Sequence, residues 1–457
     1  MVRYTSSAQT KITEFDEHYE LRLDPDNRWI RLGKLLPWDG MAALYCRELS
    51  AHMGAGTVDP RHVIGAIIVK HKLGLSDVET LDTIGENPYM QVFLGLDAYR
   101  PGHLFSPTLL VEARKRLGKE AFDAFTEKIV AISCPGAGEG PAEGAERPNK
   151  GRLKIDATVA DQYIRYPNDL GILDEVRRNT EKMVDLLFDL LRGQIPVKPR
   201  TYRKVAHQRY VSIAKKKKKR KADIRKEVRF QINAVERNLG HIEKMVRMFD
   251  APDFPLPRKY LKRLWVAHEV ARQQRHMYDN RTNTVEHRIV SPSQPHVRPI
   301  VRGKQGRAVE FGAKLGLSLF EGHMAADTLS WDAYNESGDL AGQATAYRAL
   351  MGHWPELIQA DKIYATNANR KWCRENGIRL TATPKGRPVE RTRRQKARER
   401  EEYANRNAVE GRIGNAKQVL SLNQIKAKLR DTSESWIGAT LFVLNLSVLA
   451  QNSGFTF

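Results

Sequence analysis

Tyr403-Ala-Asn-Arg406-Asn-Ala-Val-Glu410-Gly-Arg-Ile-Gly-Asn-Ala-Lys417 is the stretch from which the rest of the chain is read. Taken as a helix at about 100° per residue, it gathers Tyr403, Arg406, Glu410 and Lys417 within roughly 60° of arc. Val409, Ile413, Ala416 and Leu420 fall on the adjoining arc. One face can pack on a core while its neighbour presents a carboxylate among two cations and a phenol. Gly411 and Gly414 each cost about 1 kcal/mol inside a helix, which predicts a close backbone approach there. The plain alternative is an amphipathic surface helix with an i, i+4 Arg–Glu pair. The order of the remaining chain weighs against it.

At 457 residues the chain suits two or three domains with a sizeable core. A formal charge of +22 and a pI near 9.8 point to a polyanionic partner, nucleic acid before a ribosomal or membrane surface. Cys46, Cys134 and Cys373 show no paired spacing, which fits a reducing compartment and excludes a cysteine zinc site. The start, Met-Val-Arg-Tyr-Thr-Ser, carries no apolar signal segment. The most apolar run, residues 436–450, is short for a membrane span and is broken by Thr440, Asn445 and Ser447. It predicts a buried helix and no membrane partner. His207, His241, His276, His287, His296 and His323 lack metal-binding spacing.

Residues 1–134 read as an all-helical N-terminal domain, a DNA reader or a dimerisation module. Asp59-Pro60 predicts one helix start, and Ser76 with Glu79 a capping box at the next. Residues 135–151, rich in Gly, Pro and Glu, read as a flexible linker. A catalytic domain then occupies 152–457. Lys154-Ile-Asp156-Ala-Thr-Val predicts a strand carrying an aspartate, with Asp161 as the local competitor. A long basic helical insertion follows over about 166–285. Between residues 198 and 229, 15 Lys or Arg stand against two acids. The run Lys215, Lys216, Lys217, Lys218, Lys219, Arg220 and Lys221 predicts a phosphate-contacting arm within that helical region. Residues 286–290, 296–302 and 308–320 read as β pieces, the last two joined by a turn at 303–306. A helix over 339–351, a strand ending at Asp361, a helix over 367–376 closed by Gly377 and a further strand complete the core. Asp327, Asp332 and Glu336 read as caps at a strand–helix turn.

This order is that of a ribonuclease-H-like mixed α/β sheet, in which strand ends and one helix bring Asp156, Asp361 and Glu410 together. Three carboxylates suit two hard divalent ions, Mg²⁺ or Mn²⁺, which take oxygen ligands and keep positions open for phosphate and water. Positive groups beside them would hold the phosphate backbone.

The helix spells Tyr-x2-Arg-x3-Glu-x6-Lys and resembles the signature of a branch of the DDE insertion-sequence transposases. Lys154 to Val159 and Ala360-Asp361-Lys-Ile-Tyr364 are similar to the first two acidic motifs of that family, and the resemblance extends over nearly the whole chain. It implies that Asp156, Asp361 and Glu410 bind the catalytic metals. It also implies that Tyr403, Arg406 and Lys417 hold transposon-end DNA. The implied partners are double-stranded DNA, as terminal inverted repeats and target, and a second copy in a synaptic homodimer. The implied location is the bacterial cytoplasm, on the nucleoid. One departure stands out: Glu410 follows Asp361 by only 49 positions, where well-studied members carry a β-rich insertion. No residue of that insertion is carried over. Two rival functions remain at this stage, a ribonuclease-H-like nuclease without strand transfer and a catalytically inactive DNA-binding protein.

Overall fold

The computed structural model describes residues 23–457 apart from 48, 50–55, 135–136, 138–147, 250–252, 302–308 and 382–391. Most of the expected linker and the turn at 303–306 therefore lie outside the described residues. The chain forms two compact units. The first comprises residues 1–162, 313–330 and 334–457, and the second residues 163–312 and 331–333.

The first unit opens with seven helices: Arg28–Leu35 (α1), Trp38–Cys46 (α2), Pro60–Leu73 (α3), Asp77–Glu86 (α4), Pro88–Phe93 (α5), Thr108–Arg116 (α6) and Lys119–Ser133 (α7). The predicted starts are present. Asp59 Oδ1 accepts the Arg61 N–H at 2.8 Å with Pro60 in the first turn. Ser76 and Glu79 close both halves of a capping box, at 3.2 and 2.8 Å. Trp29 and Trp38 both meet Phe93 edge-on or tilted, with ring centroids 5.3 and 5.2 Å away. Such contacts add to the area these rings bury.

Arg152–Asp161 is strand β1. The second unit then supplies helices Asp169–Leu190 (α8), Arg203–Ala214 (α9), Lys221–Val246 (α10) and Arg258–Asp279 (α11). Leu173, Val176, Ile232, Val235 and Ala267 form their common core. Strand β2 (Arg298–Val301) pairs antiparallel with Val309–Gly312, the opening of strand β3 (Val309–Phe320). The β piece expected at 286–290 is absent. There the Ile289 N–H donates to the Gln273 side chain at 2.9 Å, and Ile289 and Val290 bury their side chains. Apolar burial without a strand partner produced the misleading signal.

The rest of the first unit adds strand β4 (His323–Ser330), helix α12 (Leu340–Met351), strand β5 (Leu357–Gln359), helix α13 (Asn367–Glu375), strand β6 (Arg379–Leu380), and helices α14 (Arg393–Gln418) and α15 (Arg430–Asn452). Strand β4 was not anticipated, because Met, Ala and Asp in His323-Met-Ala-Ala-Asp-Thr-Leu-Ser have little strand preference. It pairs antiparallel with β3 from Lys314↔Ser330 to Phe320↔His323. The hydrogen-bonded order continues β3–β1–β5–β6, with β1–β5 and β5–β6 parallel. Leu153, Ile155, Ile358, Leu340 and Tyr364 build the core on this mixed sheet. Helix α15 is long and apolar enough to cross a membrane, but it is packed against α3, α6, α7 and β4 as a core helix. The Phe442 ring stands 6.0 and 5.6 Å from those of Phe122 and Phe125.

Two histidines are buried here without charge. Desolvation, then Lys70 and Arg114, push His71 down to about 3; desolvation and Arg412 push His323 down to about 4. A depressed base favours the fold above its unfolded value of 6.5, and that advantage is lost as pH falls toward the folded value. Denaturant titrations should lose about 2 kcal/mol per histidine between pH ~6.5 and ~5. His71→Gln with His323→Gln should flatten that slope.

Candidate active site

Asp156 lies mid-strand in β1, where alternation leaves Lys154 and Asp156 half-buried while Leu153 and Ile155 are fully buried. Its Oδ1 accepts the Ala157 N–H at 2.8 Å. Across the parallel pair Lys154 stands opposite Gln359. The paired register ends there; Asp156 lies two residues beyond Lys154 within β1, and Asp361 two residues beyond Gln359, past the end of β5. Asp361 is exposed just past β5, and its Oδ1 accepts the Lys362 N–H at 2.7 Å to open a 3-10 turn, Lys362–Tyr364.

Glu410 comes from α14, and contacts at both ends fix how that helix runs. Near its start the buried Gln359 amide donates to Glu402 O at 2.6 Å, and Arg379 of β6 pairs with Glu402 at 2.6 Å. Beyond its end the Ile425 N–H donates at 3.0 Å to Asp161 O, at the end of β1. The helix therefore follows β1 in the same direction, with Val409 and Ala416 fully buried. Glu410 lies eight residues, about 12 Å, past Glu402. It stands between the two anchors, as Asp156 does. The Glu410 side chain is 55% exposed and meets Arg406 at 3.1 Å, whose own side chain is only 11% exposed. Arg406 thus aims a partly buried cation at an accessible carboxylate.

The other expected site residues separate. Lys417 is half-buried on α14, and the Tyr403 side chain lies outside the described residues. Gly411 and Gly414 correct the expectation of close approach: a Cβ added at either meets nothing within 4 Å among the described residues. The basic residues 215–221 sit in the second unit as the exposed connection from α9 to α10, with Lys216 3.5 Å from Asp223. Lys215 to Arg220 lie between the helices and Lys221 opens α10, because a run of like charges repels itself and favours solvent over packing. The acids expected as caps are otherwise engaged. Asp327 is inside β4, Asp332 pairs with His287 and Arg298 at 3.3 and 3.4 Å, and Glu336 pairs with Lys314.

That last pair belongs to a support that sequence reasoning missed. Lys314 Nζ also donates to Tyr334 O at 2.7 Å, and Tyr334 donates its hydroxyl to Asp339 at 2.7 Å. Gly316 makes room for it, since a Cβ there would lie 2.7 Å from Asp339 Oδ2. Tyr364 is fully buried; desolvation, then the charges of Glu336 and Asp156, hold its phenol far above the usual range. Asn369 joins the two turns, its amide donating to Ser337 O at 2.7 Å and Tyr364 O at 2.9 Å. The one lysine in β3, within the mostly apolar run from Phe311 to Phe320, was the available signal, because a largely buried cation needs a partner. Nothing in the sequence marks Asn369.

Asp156, Asp361 and Glu410 offer carboxylate oxygens only, partly open to solvent, a donor set suited to Mg²⁺ or Mn²⁺ rather than to zinc. Among the described residues, no three His, Cys, Asp or Glu side chains already converge as a metal cage. Magnesium ordinarily takes one or two carboxylates and completes its shell with water and substrate phosphate.

A mixed sheet that carries Asp156 and leads into Asp361, beside a helix bearing Glu410 on a strongly basic chain, is consistent with an enzyme acting on nucleic acid. Residues 358–447, which include Asp361 and Glu410, match the transposase DDE domain, and residues 17–116 match a transposase domain (DUF772). Both matches are to transposase families and indicate an insertion-sequence DDE transposase, though together they cover less than half of the chain. It is 25% identical over 158 residues to an uncharacterized protein, ORF8 in the nfe locus, of Rhizobium meliloti, covering 34% of this chain and 72% of that one. No solved structure matches.

Asn369→Ala should leave two carbonyls without their donor and cost about 1–3 kcal/mol in chemical denaturation. An unchanged midpoint would remove Asn369 from the support of the Asp361 turn.

Proposed function

We propose that the chain is a DNA transposase that cuts at the ends of its element and joins the freed 3′-hydroxyl to target DNA, through a ribonuclease-H-like catalytic domain. The observation that supports this reading is the parallel β1–β5 pair, with Asp156 in one strand and Asp361 just past the other, and α14 bearing Glu410 along β1. These three side chains would hold two divalent ions. Bound there, the ions would supply Lewis-acid activation of a water or 3′-hydroxyl and neutralise charge on the phosphate.

The chain's own residues do the remaining work. Asp156 sits within β1 and Asp361 directly follows β5, so both would need little reorganisation when DNA arrives. Arg406 holds the Glu410 carboxylate, and with Lys417 on the same helix it offers donors to the phosphates flanking the scissile bond, a role the Tyr-x2-Arg-x3-Glu-x6-Lys signature extends to Tyr403. The exposed cations of residues 215–221 add sequence-independent phosphate contacts. Two element ends have to be paired, so the active form is a homodimer on double-stranded DNA. The work is done in the bacterial cytoplasm, on the nucleoid.

Cleavage of labelled element-end DNA with Mg²⁺ or Mn²⁺ tests the reading. Asp156→Asn, Asp361→Asn and Glu410→Gln should each drop cutting to background while filter binding to DNA persists. Full activity in any one of the three would remove that residue from the site. Cut ends without joined product would mean a nuclease, and binding without metal-dependent cutting would mean an inactive binder. Replacing the seven cations of residues 215–221 by Gln should lower the slope of log affinity against log salt, by up to about 0.9 for each phosphate no longer neutralised.

A further inference from the structure

The first unit contains a second polar site, unrelated to the three acids above. A cavity of about 190 Å³ opens between α7, the β3–β4 pair and α12. Its charged and polar lining includes Lys119, Asp123, Glu127, Ser318, Asp327 and Gln343, and Phe320 and Leu350 contribute apolar wall. Gln343 is 1% exposed, yet both polar atoms of its carboxamide lack a hydrogen-bond partner among the described residues. A buried amide without partners costs about 1–3 kcal/mol, so an amide facing a cavity calls for something that fills it.

The charge around the cavity says what would fill it. The Asp123 carboxylate is answered by Lys119 at 2.6 Å. Asp327 has no cation within ion-pair distance among the described residues. Although open on one side, it is crowded by protein, and desolvation pushes its carboxyl up to about 6. A carboxylate in that situation gains from an incoming cation that stays charged near neutrality. Room for a small molecule, a hydrocarbon wall, one unanswered carboxylate and an amide oxygen all suit one chemistry.

We propose that this cavity binds a small alkylammonium ion, with its ammonium between Asp327 and the Gln343 carbonyl oxygen and its methylenes against Phe320 and Leu350. The site is independent of metal and DNA. On a chain of net charge +22 it is a local exception, open to a cation that the rest of the surface repels.

Isothermal titration of the full-length protein with n-butylammonium chloride, at constant ionic strength, tests the site. Saturable binding by the wild type, weakened at least about tenfold in Asp327→Asn and in Gln343→Leu, is the expected result. Uncharged n-butanol should give no saturable heat. Should Asp327→Asn fail to fold by circular dichroism, Gln343→Leu, which fills the same volume without polar atoms, carries the comparison. The proposal falls if the wild type gives no saturable heat, if the folded variants bind as it does, or if n-butanol binds equally well. None of these results bears on DNA cleavage, which is measured separately.

Discussion

The parallel pairing of β1 with β5 is the constraint on which the candidate active site rests. Its residue pairs, Arg152↔Leu357, Leu153↔Ile358 and Lys154↔Gln359, make a short ladder, but both strands are buried on their inner face. A slip of one residue would turn Ile155 and Ile358 out of the core and move Asp156 to the wrong face. Packing energy therefore sets the position of the carboxylates. The same apolar side chains that hold the sheet together fix the strand that carries Asp156 and the strand that leads into Asp361.

Helix α14 is held to that pair at two levels rather than by a continuous apolar stripe. Its early part is strongly charged, and the contacts that orient it are polar: Gln359 to Glu402, Arg379 to Glu402, and Arg412 to Gly322 O at 3.0 Å. Buried hydrogen bonds of this kind specify one arrangement more than they stabilise it. Glu410 is left accessible because the residues around it do the anchoring.

Much of this was legible in the sequence for definable reasons. Helix starts with a chemical marker, Asp59-Pro60 and Ser76 with Glu79, were found because a cap is a local interaction. Asp156 and Asp361 drew attention because acids in apolar strands stand out, and Glu410 because it shares a helix face with Tyr403, Arg406 and Lys417. Strand β4 was hidden, since its pairing with β3 depends on partners outside its own composition. Residues 286–290 misled, because Ile289 and Val290 are apolar for helix packing and not for a ladder. Gly411 and Gly414 had a clear local cost, but no contact among the described residues accounts for it. The Lys314–Glu336 pair and Asn369 depend on turns that meet only in three dimensions, and no spacing announces them.

The two halves of the site are far apart in the chain: β1 begins at Arg152 and its partner β5 at Leu357, with the whole second unit between them. At ~5–20 residues per second of synthesis, β1 waits about 10–40 s for the strand that completes it. The bond from Ile425 to Asp161 comes later still. During that interval the helices of the second unit, whose contacts are closer in sequence, can form first. An apolar strand edge meanwhile stays open. Catalytic competence is thus a property of the nearly finished chain, and the half-made protein is the form most exposed to aggregation.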